Sequence, residues 1–98
     1  HEGELVDRIQ DAYFQRVDAI VINPGAFAYS SVALLDALRA VAIPAIETYL
    51  SDVSAREDFR SRSHVRAACV GTVMGRGMES YHEAIDQLAA LLDIGARG

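Results

Sequence analysis

Residues 45–60, AIETYLSDVSAREDFR, concentrate groups that move protons or hold anions. Glu47, Thr48, Tyr49, Ser51, Asp52, Arg56 and Arg60 follow an apolar lead-in. In an extended strand Glu47 and Tyr49 fall on one side and Thr48 on the other. A carboxylate beside a phenol can hold it in place or tune its proton. Ser51 and Asp52 come next, at the expected strand end. Arg56 and Arg60 are four apart and face one way if that segment is helical. With Arg62 and Arg66 they add positive charge to an acidic chain, and one reading is an anion pocket. The other pairs Arg56 and Arg60 with Glu57, Asp58 or more distant acids.

A second polar stretch is NPGAFAYSS, residues 23–31. Asn23 closes an apolar run, Pro24 and Gly25 shape a tight turn, and the loop feeds the start of a helix. Free backbone N–H groups at such a start suit a carboxylate or phosphate; an ordinary strand-to-helix turn reads the same way. Other signals carry less. GTVMGRG lacks the spacing of a dinucleotide or phosphate loop. His64 and His82 have no partner at metal-ligand spacing and read as surface residues. No Ser–His–Asp arrangement emerges. Cys69 lies in the apolar run AACVGTVMG and reads as a buried, reduced thiol.

These groups need elements to position them. GELVDRIQDAYFQR puts Leu5, Ile9, Ala12 and Tyr13 on one helical face. DAIVIN predicts a buried strand over 18–23, stopped by the turn signal NPG. Ser30 or Ser31 can cap a helix running to about Val41. IPAIETYL predicts a second strand over 44–49, and AACVGTVMG a third over 67–73. In GMESYHEAIDQLAALL, Met78, Tyr81, Ile85, Leu88 and Leu92 recur at steps of three and four, a stripe expected to be buried. Apolar strands alternating with helices predict an α/β fold with a parallel sheet covered on both faces. In such sheets ligands gather beyond the carboxyl ends of the strands, where both polar stretches fall.

Ninety-eight residues predict a single domain, and a hydrophobic fraction of 51% suffices for a core. The net charge of −5 argues against a nucleic-acid or anionic-membrane surface. No apolar run is long enough to span a membrane. The single cysteine cannot form an internal disulfide, and a cytoplasmic setting is expected. The chain opens on His1 with no signal-peptide pattern, and a preceding segment is expected.

Four segments, HEGELVDRIQDA, VINPGAFAYSSVALLDAL, IPAIETYLSDVSAREDFR and GRGMESYHEAIDQL, resemble the type II 3-dehydroquinate dehydratases over nearly the whole chain. The resemblance implies a flavodoxin-like parallel sheet with strand order 2-1-3-4-5, of which strands 3 to 5 lie here. Residues 1–98 would then form the C-terminal two-thirds of that fold. It also implies trimers or dodecamers. The expected reaction dehydrates 3-dehydroquinate, a small anionic cyclic substrate, to 3-dehydroshikimate through an enolate, with no metal or organic cofactor.

By the same resemblance, Glu47 matches the glutamate beside the family's catalytic histidine, and Tyr49 stands at that histidine's own place. Asn23 matches a substrate-binding asparagine. Leu50 and Ser51 match the segment that holds the substrate carboxylate, and Arg60 the arginine that bonds a ring hydroxyl. Asp36 matches an aspartate that reaches into a neighbouring subunit's site. The family reads Glu-x-His-[Ile/Leu]-Ser-Asn where this chain reads ETYLSD, and Thr-His-Thr where it reads AYS. Tyr49 therefore replaces the general acid, Tyr29 a substrate-binding histidine, and Asp52 an asparagine. A phenol, with a pKa of about 10, is poorly matched to cycling a proton at neutral pH. A carboxylate near the substrate's own would repel it. The family also begins with a strand ending Asn-Gly-Pro-Asn-Leu and a mobile loop carrying Arg and Tyr, neither of which is in these 98 residues. The leading expectation is a dehydroquinase-like protein with weak or absent activity. An active dehydratase and a repurposed small-molecule binder, scaffold or different lyase stay open.

Overall fold

A computed structural model describes residues 1–25, 31–50 and 65–97, with side chains through Asp93. Its elements run α1 (Glu2–Phe14), β1 (Ile20–Ile22), α2 (Val32–Val41), β2 (Ala45–Tyr49), a short 3₁₀ helix (Val65–Ala68), β3 (Gly71–Met74) and α3 (Glu79–Arg97). The three strands form a parallel sheet in the order β1-β2-β3. Ile20 to Ile22 pair with Ala45 to Glu47, and Ile46 to Tyr49 with Gly71 to Met74. The expected α/β class with parallel strands is observed. Each apolar run yields a strand shorter than the run itself.

α1 and α2 cover one face of the sheet. There Ile9, Leu34 and Leu38 pack with Ile22, Ala45 and Val65. α3 covers the other face, where Ile46 and Val73 meet Ala84 and Leu88. β2 lies between its two neighbours and is buried along its whole length, including its two polar members, Glu47 and Thr48. That is the expected fate of a central parallel strand.

α2 starts where a serine cap was expected. The Ser31 hydroxyl accepts the Leu34 N–H at 3.0 Å, satisfying one of the helix's orphan donors. The helix ends on Ala42, whose φ of 55° puts a non-glycine residue in the left-handed region.

Two expectations are corrected. The third strand does not begin at residue 67. Val65–Ala68 is a 3₁₀ turn, closed by the Cys69 N–H on the Arg66 carbonyl at 3.1 Å, and pairing begins only at Gly71. The stripe of α3 is also rotated. Ser80, Ala84 and Leu88 are the buried positions, whereas Met78 and Ile85 are more than half exposed and Leu92 over a third. At Gly71 of β3 a Cβ would sit 3.3 Å from the Gln87 amide oxygen of α3 and 3.6 Å from Ile46. Apolar periodicity finds the oily stripe of a helix, whereas the buried face here includes the small residues Ser80 and Ala84. The expected face of α1 holds for Ile9, which is buried, while Tyr13 is mostly exposed.

Candidate functional site

The carboxyl end of β2 carries the densest polar geometry of the described residues. Alternation along the strand puts Glu47 and Tyr49 on the face covered by α1 and α2, while Ile46 and Thr48 face α3. The register Glu47↔Thr72 brings a hydroxyl of β3 alongside the carboxylate. Glu47 is fully buried and, among the described residues, accepts from three side chains. The Tyr49 hydroxyl donates to Oε2 at 2.8 Å. The Thr72 hydroxyl donates to Oε1 at 2.7 Å, and Arg66 Nε donates to that same oxygen. A buried carboxylate is tolerated only when its charge is paired and its lone pairs are met, and here both conditions hold.

Cys69 feels this charge. Its thiol is pushed up from 9.0 to about 12, first by burial and then by the negative charge of Glu47; a backbone hydrogen bond involving Glu47 and the Arg66 cation pull the other way. The thiol is therefore protonated at neutral pH, on a side chain that is half-buried where the sequence suggested full burial.

Asn23 sits one residue beyond β1. Its amide donates to the Tyr81 hydroxyl of α3 at 3.2 Å, and its side-chain oxygen accepts the Gly25 N–H at 3.1 Å, a local turn that fixes the side chain. Leu50, just past β2, is exposed, and its carbonyl accepts the Gly77 N–H at 2.8 Å. Gly77 has a φ of 57°, so this tie between strand end and helix start depends on a glycine.

Of the sequence-predicted site residues, the structure brings Glu47 and Tyr49 together directly and ties Asn23 to α3 through Tyr81. Asp36 is exposed on α2. Tyr29, Ser51 and Arg60 lie outside the described residues, as do Asp52, Arg56, Arg62 and His64. His82 is exposed on α3. Arg66, which the sequence presents only as added positive charge, bonds Glu47. Tyr81 stands in the sequence only as part of a helical stripe, and nothing in the sequence sets Thr72 apart. Residue spacing holds no signal for either contact, because the partners are 58 and 25 residues apart. Among the described residues no cluster of His, Cys, Asp and Glu could hold a metal ion, and no helix is long and apolar enough to cross a membrane. A groove of about 190 Å³ runs between α1 and β1, lined by Leu5, Ile9, Ile20 and Asn23 among others, and does not reach Glu47 or Tyr49.

Compared with known proteins, residues 1–89 match the family model described as Dehydroquinase class II. The 3-dehydroquinate dehydratase of Caldicellulosiruptor bescii is 50% identical over 93 residues, which are 95% of this chain and 64% of that protein. The 3-dehydroquinate dehydratase of a Janthinobacterium species is 51% identical over 85 residues, 87% of this chain and 59% of that one. The crystal structure of the type II dehydroquinase from Butyrivibrio crossotus superposes with a TM-score of 0.85 at 47% identity, covering 91% of this chain and 62% of that one. The chain spans a little under two thirds of the length of these relatives.

Proposed function

This chain belongs to the class II dehydroquinase family, and we propose that it is the larger part of a 3-dehydroquinate dehydratase-like protein whose dehydration step is slow or absent. The observation that carries this reading is the hydrogen bond from the Tyr49 hydroxyl to Glu47. Dehydration of a β-hydroxy ketone needs a base for the proton next to the carbonyl and an acid for the leaving hydroxyl. A histidine beside Glu47 has two ring nitrogens; one N–H can bond the carboxylate while the other serves the leaving group. A phenol has one oxygen and one proton, and here that proton is directed at a carboxylate. The chain contains no lysine side chain to form an imine with a ketone substrate. Acid–base chemistry through an enolate is the route its residues suit.

In this reading Glu47 and Tyr49 hold the catalytic places. Asn23, Tyr29, Leu50, Ser51 and Arg60 bind the small anionic ring, and Asp36 reaches a neighbouring subunit. No metal or organic cofactor takes part. Strands β1 to β3 are strands 3 to 5 of a sheet ordered 2-1-3-4-5, and residues 1–98 are the C-terminal two-thirds of one domain. The protein works in the cytoplasm as a trimer or dodecamer. The parallel order of the three strands and the relatives' names support this reading.

The test is the ultraviolet absorbance that grows when the conjugated product forms from 3-dehydroquinate. The whole protein should turn over poorly while still binding the substrate. Ordinary turnover that survives Tyr49→Phe would remove Tyr49 from the acid's place.

A further inference from the structure

The Glu47–Tyr49 pair on β2 is joined by a group from outside the strands. Arg66 lies in the 3₁₀ turn between β2 and β3 and is partly exposed. Its Nε donates to Oε1 of Glu47, the oxygen that also receives Thr72, and Oε2 receives Tyr49. The turn is held by the Cys69 N–H on the Arg66 carbonyl, and Val70 N–H returns the chain to the sheet on the Ala45 carbonyl at 2.7 Å. Among the described residues, the polar groups facing Glu47 are Tyr49 on its own strand, Thr72 on β3, and Arg66 and Cys69 from the connecting segment. The fully buried side chains of α1 and α2 on this face, Ile9, Leu34 and Leu38, are apolar. Among the described residues, Arg66 is the cation seen bonded to this fully buried carboxylate.

We propose that Arg66 is a positioning residue: by keeping Glu47 ionised and fixed, it sets the direction in which Tyr49 presents its proton. This rests on the reading of Glu47 and Tyr49 as the working pair. An ionised carboxylate only accepts, so the hydroxyl beside it must donate. A protonated Glu47 carries a donor of its own, and Tyr49 could then accept from it and turn its proton elsewhere. Burial favours the protonated form, and a charge-assisted bond from a guanidinium favours the ionised one. Whichever form prevails decides whether Tyr49 can offer a proton to a ligand. Arg66 therefore locks the pair in the state least able to act as an acid.

The experiment uses the whole protein, with Arg66→Met, Arg66→Lys and the double variant Arg66→Met with Glu47→Gln. Two signals are read: the near-ultraviolet tyrosine band, assigned to Tyr49 by subtracting Tyr49→Phe, and the midpoint of urea unfolding. A tyrosine that donates to a carboxylate absorbs at longer wavelength than one that does not. Arg66→Met should shift the Tyr49 band to shorter wavelength, and Arg66→Lys should restore part of the shift. Arg66→Met should lose stability, because it takes the bonded cation away from a fully buried carboxylate. Adding Glu47→Gln should recover part of that loss, because the charge is then gone. A Tyr49 band unmoved in both single variants overturns the proposal, as does a stability loss unaltered by Glu47→Gln. If Arg66→Met does not fold, Arg66→Lys carries the spectral test alone. These signals need no turnover. If the band moves but 3-dehydroquinate binds and reacts unchanged, the positioning role stands and the assignment of the pair as the working site falls.

Discussion

The Tyr49 hydroxyl and the Glu47 carboxylate lie 2.8 Å apart on one face of β2, with Tyr49 the donor. The contact is local, spanning two residues of one strand, and it survives in a position where the strand is wholly buried. Glu47 in turn draws in Thr72 from the next strand and Arg66 from the intervening turn. The four residues form one network, so a change in any member is felt by the others.

Thr72→Val tests the least conspicuous member of that network. It keeps the shape and β-branching of the side chain and removes one donor from a buried carboxylate. Hydrogen bonds to charged groups are worth about 1.5–3 kcal/mol. A stability loss of that size is expected in urea unfolding, with Thr72→Ser losing less. Equal stability of Thr72→Val and the native protein would mean that Arg66 and Tyr49 alone satisfy the charge.

Cys69 reports on the same charge by its reactivity. With its thiol pushed up from 9.0 to about 12, the thiolate fraction at pH 8 is lower by about a thousandfold than for an unperturbed thiol. Alkylation by iodoacetamide should be slower than in the urea-unfolded chain by about that factor. Because the folded value is the raised one, the associated stability is complete below pH 9 and is lost as the pH climbs toward 12. Alkylation of the native protein at the unfolded rate would show that the thiol is neither buried nor near Glu47.

How much of this was legible in the sequence depends on the distance over which each contact acts. The Glu47–Tyr49 pair follows from strand alternation, which needs only two residues and the right period. The Ser31 cap follows from a serine placed before an apolar run. The partner of Arg66 does not follow, because it requires both the parallel register and a 3₁₀ turn hidden in a run that reads as continuous strand. The Asn23–Tyr81 bond joins two ends of the chain that only the fold brings together. The buried face of α3 departs from its apolar stripe because it includes Ser80 and Ala84, small residues that are weak signals of burial in a sequence.

Ala42 offers a stability gain away from the site. It ends α2 in the left-handed region, which costs an L-residue about 1–2 kcal/mol and costs glycine little. Its backbone N–H still caps the helix on the Leu38 carbonyl at 3.2 Å. Ala42→Gly should therefore raise the unfolding free energy by about 0.5–1 kcal/mol after glycine's greater unfolded-state entropy is counted. Thermal melting followed by circular dichroism checks it, and a lower melting temperature would count against the strained cap.

Tyr49 is where the proposed chemistry is most exposed to test. General acid catalysis is typically worth about a hundred- to ten-thousand-fold, so a protein lacking a suitable acid at this place should fall short of an active dehydratase by that order. Tyr49→His supplies a ring whose one N–H can bond Glu47 while its other nitrogen serves the leaving hydroxyl. Alone it should recover little, because Tyr29 and Asp52 still differ from the family's pattern where substrate binding is expected. Tyr49→His combined with Tyr29→His should recover more, and the gain should appear in kcat rather than only in KM if the acid is what was missing. Its activity should also acquire a dependence on pH near the imidazole range, falling as the ring loses its proton. The measurement is 3-dehydroquinate turnover against pH for the native protein and both variants. A gain confined to KM, with no new pH dependence, would place the defect in binding and leave Tyr49 out of the proton transfer.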